Sequence, residues 1–203
     1  MIFFIKSDTI NLRQFTLKDI PGSSGRLDVV SRNILAALLN QGYFSDNIQI
    51  WVFLGKYGTY IFDTDELNYA KFPKSEIKFT DYFVEVIKRD MGIKKINEKK
   101  IELLDGLINS NQKILSALED LKNKEYEIYI LKETGEELSK FMEARKIPEK
   151  SVFLIGNQQG DFIESTKLAE YNFKELSLGK KSYLGSHTIR LIKIILTKKE
   201  NLF

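Results

Sequence analysis

The chain has 203 residues, 43% of them hydrophobic, which is enough apolar material for the core of one ordinary domain. Lysine plus arginine (31) barely exceeds aspartate plus glutamate (28), so any nucleic-acid surface has to be a local patch. The sequence has no cysteine, which excludes disulfides and cysteine nucleophiles, and its single histidine argues against a metal centre. We expect a single domain over residues 1–203 and no metal.

The N-terminal stretch of the chain is apolar but short. Lys6 and Asp8 interrupt it before the core of a signal peptide or a membrane span can form. We therefore expect a cytoplasmic protein without a membrane partner.

The first half of the chain alternates between continuously apolar runs, which predict buried strands, and amphipathic stretches, which predict helices. A glycine marks the end of two of the helices, since Gly42 follows the first and Gly92 the second. In chain order we predict a strand at Ile2–Lys6, a helix at Leu27–Gln41, a strand at Ile48–Leu54, its hairpin partner at Thr59–Phe62, and helices at Phe79–Met91 and Lys99–Lys122.

The second half continues this alternation. It predicts strands at Glu127–Leu131, Val152–Ile155 and Leu176–Leu178, and helices around Glu136–Ala144, Glu164–Glu170 and Tyr183–Lys199. The last helix is apolar around much of its circumference, so we expect it to be buried, in part against another subunit. The whole pattern predicts an α/β fold with a mainly parallel sheet and helices on both faces.

A Gly/Ser segment, Pro21–Gly25, precedes Arg26 and the start of the predicted helix at Leu27. Backbone N–H groups at such a turn can hold an anion, and Arg26 can clamp a phosphate with two hydrogen bonds. The segment matches neither a Walker A loop nor a Gly-x-Gly-x-x-Gly loop. An ordinary capped turn, with Asp28 capping the helix and Arg26 paired to it, fits these residues equally well.

Glycines directly after two predicted strands form a second motif. Gly156 and Gly179 stand where open α/β sheets bind their ligands, although tight β-to-α turns also account for them. His187 is expected to be a packed or surface residue. A basic cluster near the C-terminus and a second group near the N-terminus are either RNA patches or solvated surface: Lys180, Lys181, Arg190, Lys193, Lys198 and Lys199, and Arg13, Lys18, Arg26 and Arg32.

The two motifs together resemble the archaeal tRNA pseudouridine-54 N1-methyltransferase family of the SPOUT class. The family pattern Leu-Pro-Gly-Ser-x-Gly-Arg-x-Asp is similar to residues 20–28, with Arg32 following, and its Ser-Leu-Gly-Pro-Leu-Ser-Leu-His-Ala-Asp-His-Cys-Ile pattern aligns without gaps to residues 177–189. The chain departs from the family at Asn157 and Gln158, which replace Asp-His, and at Lys180 and Lys181, which replace Pro-Leu.

The resemblance implies a SAM-dependent methyltransferase that acts on tRNA, with a C-terminal deep trefoil knot whose helices form a homodimer. It places the cofactor S-adenosyl-L-methionine (SAM) against Leu131, Gly156, Leu178, Gly179, Lys180, Lys181, Ser182, Tyr183 and Thr188. It places Arg26 and Asp28 at the nucleoside as the catalytic residues. Arg26 is our candidate to stabilise the N1 anion, and Asp28 to accept the proton or read the base edge.

Three other functions remain compatible with the sequence. The chain can be a SPOUT methyltransferase for another RNA nucleoside, or a homologue that binds SAM or RNA without catalysis. It can also be a nucleotide-binding α/β protein without an RNA partner, which requires both motif matches to be accidental.

Overall fold

The computed structural model describes residues 1–92, 103–156 and 162–200. Its strands are β1 (Ile2–Lys6), β2 (Leu39–Asn40), β3 (Tyr43–Phe44), β4 (Gln49–Phe53), β5 (Thr59–Asp63), β6 (Leu107–Ser110), β7 (Glu127–Glu137), β8 (Ser151–Ile155) and β9 (Lys174–Ser177). Its helices are α1 (Ile20–Ser24), α2 (Leu27–Leu38), α3 (Glu76–Asp90), α4 (Ile114–Asn123), α5 (Leu138–Ala144), α6 (Thr166–Ala169) and α7 (Gly185–Glu200).

Seven of the strands form one sheet in the order β6-β5-β4-β1-β8-β7-β9, while β2 and β3 form a separate hairpin. The pairs β4-β1, β1-β8, β8-β7 and β7-β9 are parallel, and β5 and β6 add an antiparallel edge. Because parallel strands end at the same edge of a sheet, the segments that follow β1, β8, β7 and β9 come together there.

Successive side chains of the central strands point to opposite faces of the sheet and enter two separate cores. Phe3 and Ile5 of β1 pack in the core that contains α2, α3, α5 and α7, whereas Ile2 and Phe4 pack in the core that contains α4 and α6. Both faces are therefore covered, which explains why the strands are apolar at consecutive positions. The predicted α/β architecture with helices on both faces is confirmed.

The predicted helix at Lys99–Lys122 is wrong over much of its length. Residues 93–102 lie outside the described residues, Leu107–Ser110 is strand β6 paired with β5, and only Ile114–Asn123 is helical. Gly106 has a φ of +79°, and a Cβ there would lie 2.7 Å from Glu66 Cβ. This left-handed, closely packed turn ends any helical continuation, and pairing with β5 then satisfies the backbone.

Helix α7 is apolar on two sides, but only one of them reaches the core. Ile189 and Ile192 are fully buried on the side that packs against α2, whereas Leu184 is 45% and Ile194 is 49% exposed. These exposed residues line an open groove of about 1780 Å³ that runs between α7, the C-terminal end of α2 and the loop after α5. Among residues 1–92, 103–156 and 162–200, no segment therefore covers the second side of α7 completely.

Lys193 joins α7 to the C-terminal end of α2. Its Nζ donates to the carbonyl oxygens of Ala36, Ala37 and Leu39 at 3.0, 2.8 and 3.1 Å. These carbonyls lie in the last turn of α2 or just beyond it, where intrahelical donors are missing. Lys193 is thus a helix cap, which removes it from the predicted basic RNA patch.

Burial lowers the pKa of Lys193 to about 8, and Arg190 adds to the effect. Below pH 8 the amine is protonated in both the folded and the unfolded chain. Between pH 8 and its ordinary value of 10.5, the unfolded chain binds the proton and the folded chain does not. Raising the pH through this window therefore favours the folded state.

We predict that Lys193→Met lowers the free energy of unfolding by about 1–3 kcal/mol, because three buried carbonyl groups lose their donor. Chemical denaturation measures this loss, and the exposed Lys122→Met in α4 serves as a control that changes stability by less than about 0.5 kcal/mol. The difference in the free energy of unfolding between wild type and Lys193→Met should increase from pH 8 to 10.5. A difference that decreases over this range would contradict the assignment.

Candidate functional site

Three segments predicted to hold the cofactor meet at the carboxyl edge of the sheet. Leu131 pairs with Leu176 across β7 and β9, and Ile130 pairs with Leu154 across β7 and β8. Gly156 follows β8 and Leu178 follows β9, so both lie on strands adjacent to that of Leu131. The structure thus brings together residues that are up to 47 positions apart in the chain.

The main chain at this edge is open to a ligand. Among the described residues, a Cβ added at Gly179, where φ is +105°, would meet no atom within 4 Å. At Gly156, which is exposed, the described neighbour that it would meet is the flexible Cδ1 of Ile163, at 3.2 Å. Residues 157–161, which include Asn157 and Gln158 and directly follow Gly156, lie outside the described residues.

The turn from β9 to α7 carries the remaining residues of the predicted cofactor site. Lys180, Lys181, Ser182 and Tyr183 are all exposed. Thr188 is buried in the first turns of α7, where its N–H donates to Leu184 O at 2.9 Å. The structure therefore places four of these residues on the surface next to Gly179 and the fifth inside the helix.

Two residues that we did not predict shape this edge. Ser177 Oγ accepts the N–H of Gly179 at 3.0 Å and lies 3.3 Å from Glu133 O, which ties the turn after β9 to β7. A Cβ on Gly135 would lie 2.7 Å from the backbone of Leu176, at the point where the β7–β9 register shifts. Gly135 lies between the predicted strand Glu127–Leu131 and the predicted helix at Glu136–Ala144, and a glycine at such a place was the available signal for this bulge.

Lys132, another unpredicted residue, directly follows Leu131. Its Nζ lies 2.6 Å from Glu175 Oε1 and 3.6 Å from Glu164 Oε2. The hydrogen bond to Glu175 raises the pKa of Lys132, so the amine stays cationic beside the carboxyl edge of the sheet.

The second half of the site begins at a left-handed turn ahead of α2. Gly25 and Arg26 have φ values of +63° and +72°. A Cβ on Gly25 would lie 1.9 Å from Thr9 O, while Thr9 Oγ1 donates to Gly25 O at 2.9 Å. The loop after β1 therefore fixes the start of α2, and this holds Arg26 in a conformation that non-glycine residues rarely adopt.

The carboxylate of Asp28 is buried between two arginines. Its Oδ1 accepts from Arg26 Nε at 3.1 Å, and its Oδ2 accepts from Arg32 Nη2 at 2.5 Å and from Arg26 Nη2 at 3.3 Å. The side chain of Asp28 is 5% exposed, against 47% for Arg26. The hydrogen bond to Asp28 also raises the pKa of Arg26.

The Gly/Ser segment does not form the open anion cradle that we considered. Residues Ile20–Ser24 form helix α1, in which Gly22 N donates to Asp19 Oδ1 at 3.0 Å. Leu27 N donates to Ser24 Oγ, also at 3.0 Å. These amides are therefore already satisfied within the chain, and Arg26 and Arg32 remain as the groups able to bind a phosphate.

A single cavity of about 60 Å³ joins the two halves of the site. Arg26 and Asn33 of α2 line one side of it, Gly156 lines another, and Gly185 at the start of α7 closes it. The residue predicted to face the nucleoside and the glycine predicted to face the cofactor therefore share one cavity, although 130 positions separate them.

The chain matches the model of the family described as "Putative SAM-dependent RNA methyltransferase" over residues 2–201. It belongs to this family. It is also similar to proteins named tRNA (pseudouridine(54)-N(1))-methyltransferase, with 29% identity to the one from Thermococcus gammatolerans, over 98% of each chain. Identity to the one from Pyrococcus abyssi is 27%, over 97% of each chain. The family member described here is thus a divergent relative of these enzymes.

Among solved structures, the chain is similar to Archaeoglobus fulgidus Nep1 bound to S-adenosylhomocysteine. The TM-score is 0.57 and the sequence identity 15%, over 97% of this chain and 96% of the other. This likeness supports the fold. The C-terminal knot and the homodimer stay predictions that rest on the family resemblance.

In the part of the chain that the structure describes, no helix is both long and apolar enough to span a bilayer. Within the same residues, no group of three or more metal-ligating side chains is present.

We predict that Asp28→Asn lowers the free energy of unfolding by about 1–3 kcal/mol, because a buried carboxylate that serves two arginines is replaced by a neutral amide. Arg26→Ala is the matched variant and should cost less, since Arg26 is largely solvated and Asp28 keeps Arg32. Thermal and denaturant unfolding compare the two proteins. Equal stability of Asp28→Asn and wild type would show that this cluster does not hold the start of α2.

Proposed function

We propose that this protein methylates N1 of pseudouridine in the TΨC loop of tRNA, at position 54, with SAM as the methyl donor. The observation that carries the proposal is the cavity shared by Arg26 and Gly156, because methyl transfer needs the acceptor base and the cofactor side by side. The names of the full-length relatives supply the substrate.

The carboxyl edge of the sheet fits a cofactor bound mainly through main-chain groups. Within the described ranges, Gly179 has no atom near its missing side chain and Gly156 has only the end of Ile163, so a ligand can approach the backbone closely beside the ends of β8 and β9. We assign SAM to this edge, against Leu131, Gly156 and the segment from Leu178 to Tyr183, with Thr188 behind it. Bound there, SAM supplies an activated methyl group on a sulfonium.

Arg26 and Asp28 are the residues that we assign to the nucleoside. Removing the N1 proton of the base leaves a negative charge that a nearby cation stabilises, and the pKa of Arg26 is raised by Asp28. The half-exposed guanidinium at the cavity mouth is suited to this role.

We assign two roles to Asp28. It holds Arg26 by two hydrogen bonds, and it is the carboxylate that we assign to accept the proton. A carboxylate has about four lone-pair positions, and three guanidinium N–H groups occupy three of them. One position is left for the base or its proton.

The function is tested by mass spectrometry of tRNA nucleosides from cells with and without the gene. We expect 1-methylpseudouridine to disappear with the gene, to return with the wild-type gene, and to stay absent with Gly156→Arg. A bulky cation at this strand end should obstruct the cofactor, so calorimetry should show that Gly156→Arg loses affinity for S-adenosylhomocysteine.

Asn123→Arg, at the exposed end of α4, adds the same side chain away from the site and should behave as wild type. Unchanged nucleosides after deletion would contradict the pseudouridine substrate, and a different missing methyl group would identify another nucleoside. Tight cofactor binding with no change in any nucleoside would favour a homologue without catalysis.

We also propose a homodimer in which a second copy covers the exposed side of α7. Leu184 and Ile194 leave apolar surface open along the groove, and burying such surface drives association. Ile192 on the opposite side is fully buried in the core, so changing it would test folding instead of assembly.

We therefore predict that Leu184→Asp combined with Ile194→Asp gives a folded monomer, because two unpaired charges resist desolvation at an interface. Light scattering measures the mass, and circular dichroism checks the fold. Ile77→Asp, at a 62% exposed position on α3, should leave the dimer intact. A wild-type protein that is monomeric at working concentrations would show that this interface is wrong.

A further inference from the structure

Asn33 is a buried polar residue whose carboxamide oxygen is unused by the protein. The residue is 6% exposed, and among the described residues its Oδ1 has no hydrogen-bond partner. Leaving a buried acceptor unsatisfied carries a free-energy cost, so such a group in a core calls for an external partner.

The position of Asn33 connects it to the proposed reaction. It lies on α2, seven residues after Arg26, which precedes the helix in a left-handed conformation. Both residues line the cavity that also reaches Gly156. The unsatisfied Oδ1 therefore belongs to a residue that shares this cavity with the cation of Arg26.

Helix α7 closes tightly over this carboxamide. A Cβ on Gly185 would lie 2.9 Å from Asn33 Nδ2 and 3.0 Å from Asn33 Oδ1, so the first residue of α7 packs directly against the amide plane. This contact restricts the rotation of the side chain, and a restricted carboxamide is preorganised for a planar ligand.

A carboxamide presents an acceptor and a donor side by side, which matches the edge of a pyrimidine ring where an imide N–H adjoins a carbonyl oxygen. Pseudouridine has such an edge at N3, in addition to the N1–H group that is methylated. An enzyme that modifies N1 has to keep the chemically similar N3 away from the methyl donor.

We propose that Asn33 is a specificity-determining residue that binds the N3 edge of the base. Its Oδ1 accepts the N3–H, and its Nδ2 donates to the adjacent carbonyl oxygen of the ring. The opposite side of the ring, with N1, then faces Arg26 and Gly156. This assignment rests on the proposed function, since it requires pseudouridine to enter the cavity.

The test compares two RNA hairpins that carry pseudouridine or 3-methylpseudouridine at the target position. Wild type should bind the methylated hairpin about tenfold or more weakly in fluorescence anisotropy, because one hydrogen bond is lost and a methyl group meets the carboxamide. Asn33→Leu, of similar shape, should bind both hairpins with affinities within about twofold of each other.

Asn33→Leu should also melt at the same temperature as wild type or higher, since it removes an unsatisfied buried acceptor. Asn33→Ala is the second variant, which avoids any steric conflict with Gly185 and should show the same loss of discrimination. Ser45→Ala is the matched control, because Ser45 Oγ is also buried without a partner but lies in the groove beside α7. It should discriminate as wild type does.

Methyl transfer to the pseudouridine hairpin separates the two proposals. If wild type transfers the methyl group and the variants keep the tenfold discrimination, the Asn33 assignment is overturned and the proposed function stands. If wild type binds S-adenosylhomocysteine but transfers no methyl group to this hairpin, the proposed function fails and the Asn33 assignment with it.

Discussion

The close contact between Gly25 and the loop after β1 is the constraint on which the site depends. The backbone of Thr9 approaches so closely that no side chain fits at position 25, and the hydrogen bond from Thr9 to Gly25 O secures the contact. Because β1 lies in the middle of the sheet, this contact attaches the start of α2 to the carboxyl edge. Arg26 and Asn33 then line the cavity that reaches Gly156, Asn33 as a buried residue and Arg26 with about half of its side chain in solvent.

The parallel register supplies the other half of the site. Four neighbouring parallel strands, β1, β8, β7 and β9, end at one edge, so residues from distant parts of the chain become neighbours. The bulge at Gly135 and the hydroxyl of Ser177 then shape the turn that leads into α7. The same turn positions Gly185 against Asn33, which links the proposed cofactor edge to the proposed base pocket.

Features with a local physical signature could be predicted from the sequence. The buried strands appear as continuous apolar runs, and β1 was predicted with its observed bounds, Ile2–Lys6. The segment before α4 was predicted wrongly because Leu103, Leu104 and Leu107 have helical spacing, while the pairing of β6 with β5 is a long-range contact. Gly106 was the one local sign against a helix.

For the candidate site, too, features with a local sequence signature were predicted and features that depend on long-range packing were missed. The glycines after β8 and β9 were found because strand ends and glycine are both readable in sequence. The simpler alternative paired Arg26 with Asp28 and made Asp28 the cap of the helix. The structure contains the pair, but Asp28 lies inside α2 and does not cap it. The roles of Lys193 and Asn33 depend on where α7 packs, which no local pattern encodes. The knot, the dimer, the single domain and the cytoplasmic location stay predictions.

The most direct test of the whole account is a crystal structure of the protein with S-adenosylhomocysteine and a hairpin that contains pseudouridine. We expect the cofactor product at Gly156 and the 178–183 segment, and the base between Arg26 and Asn33 with N1 directed toward the cofactor. A base bound outside this cavity, or a cofactor product away from the carboxyl ends of β7, β8 and β9, would contradict the central claim that these residues form one active site.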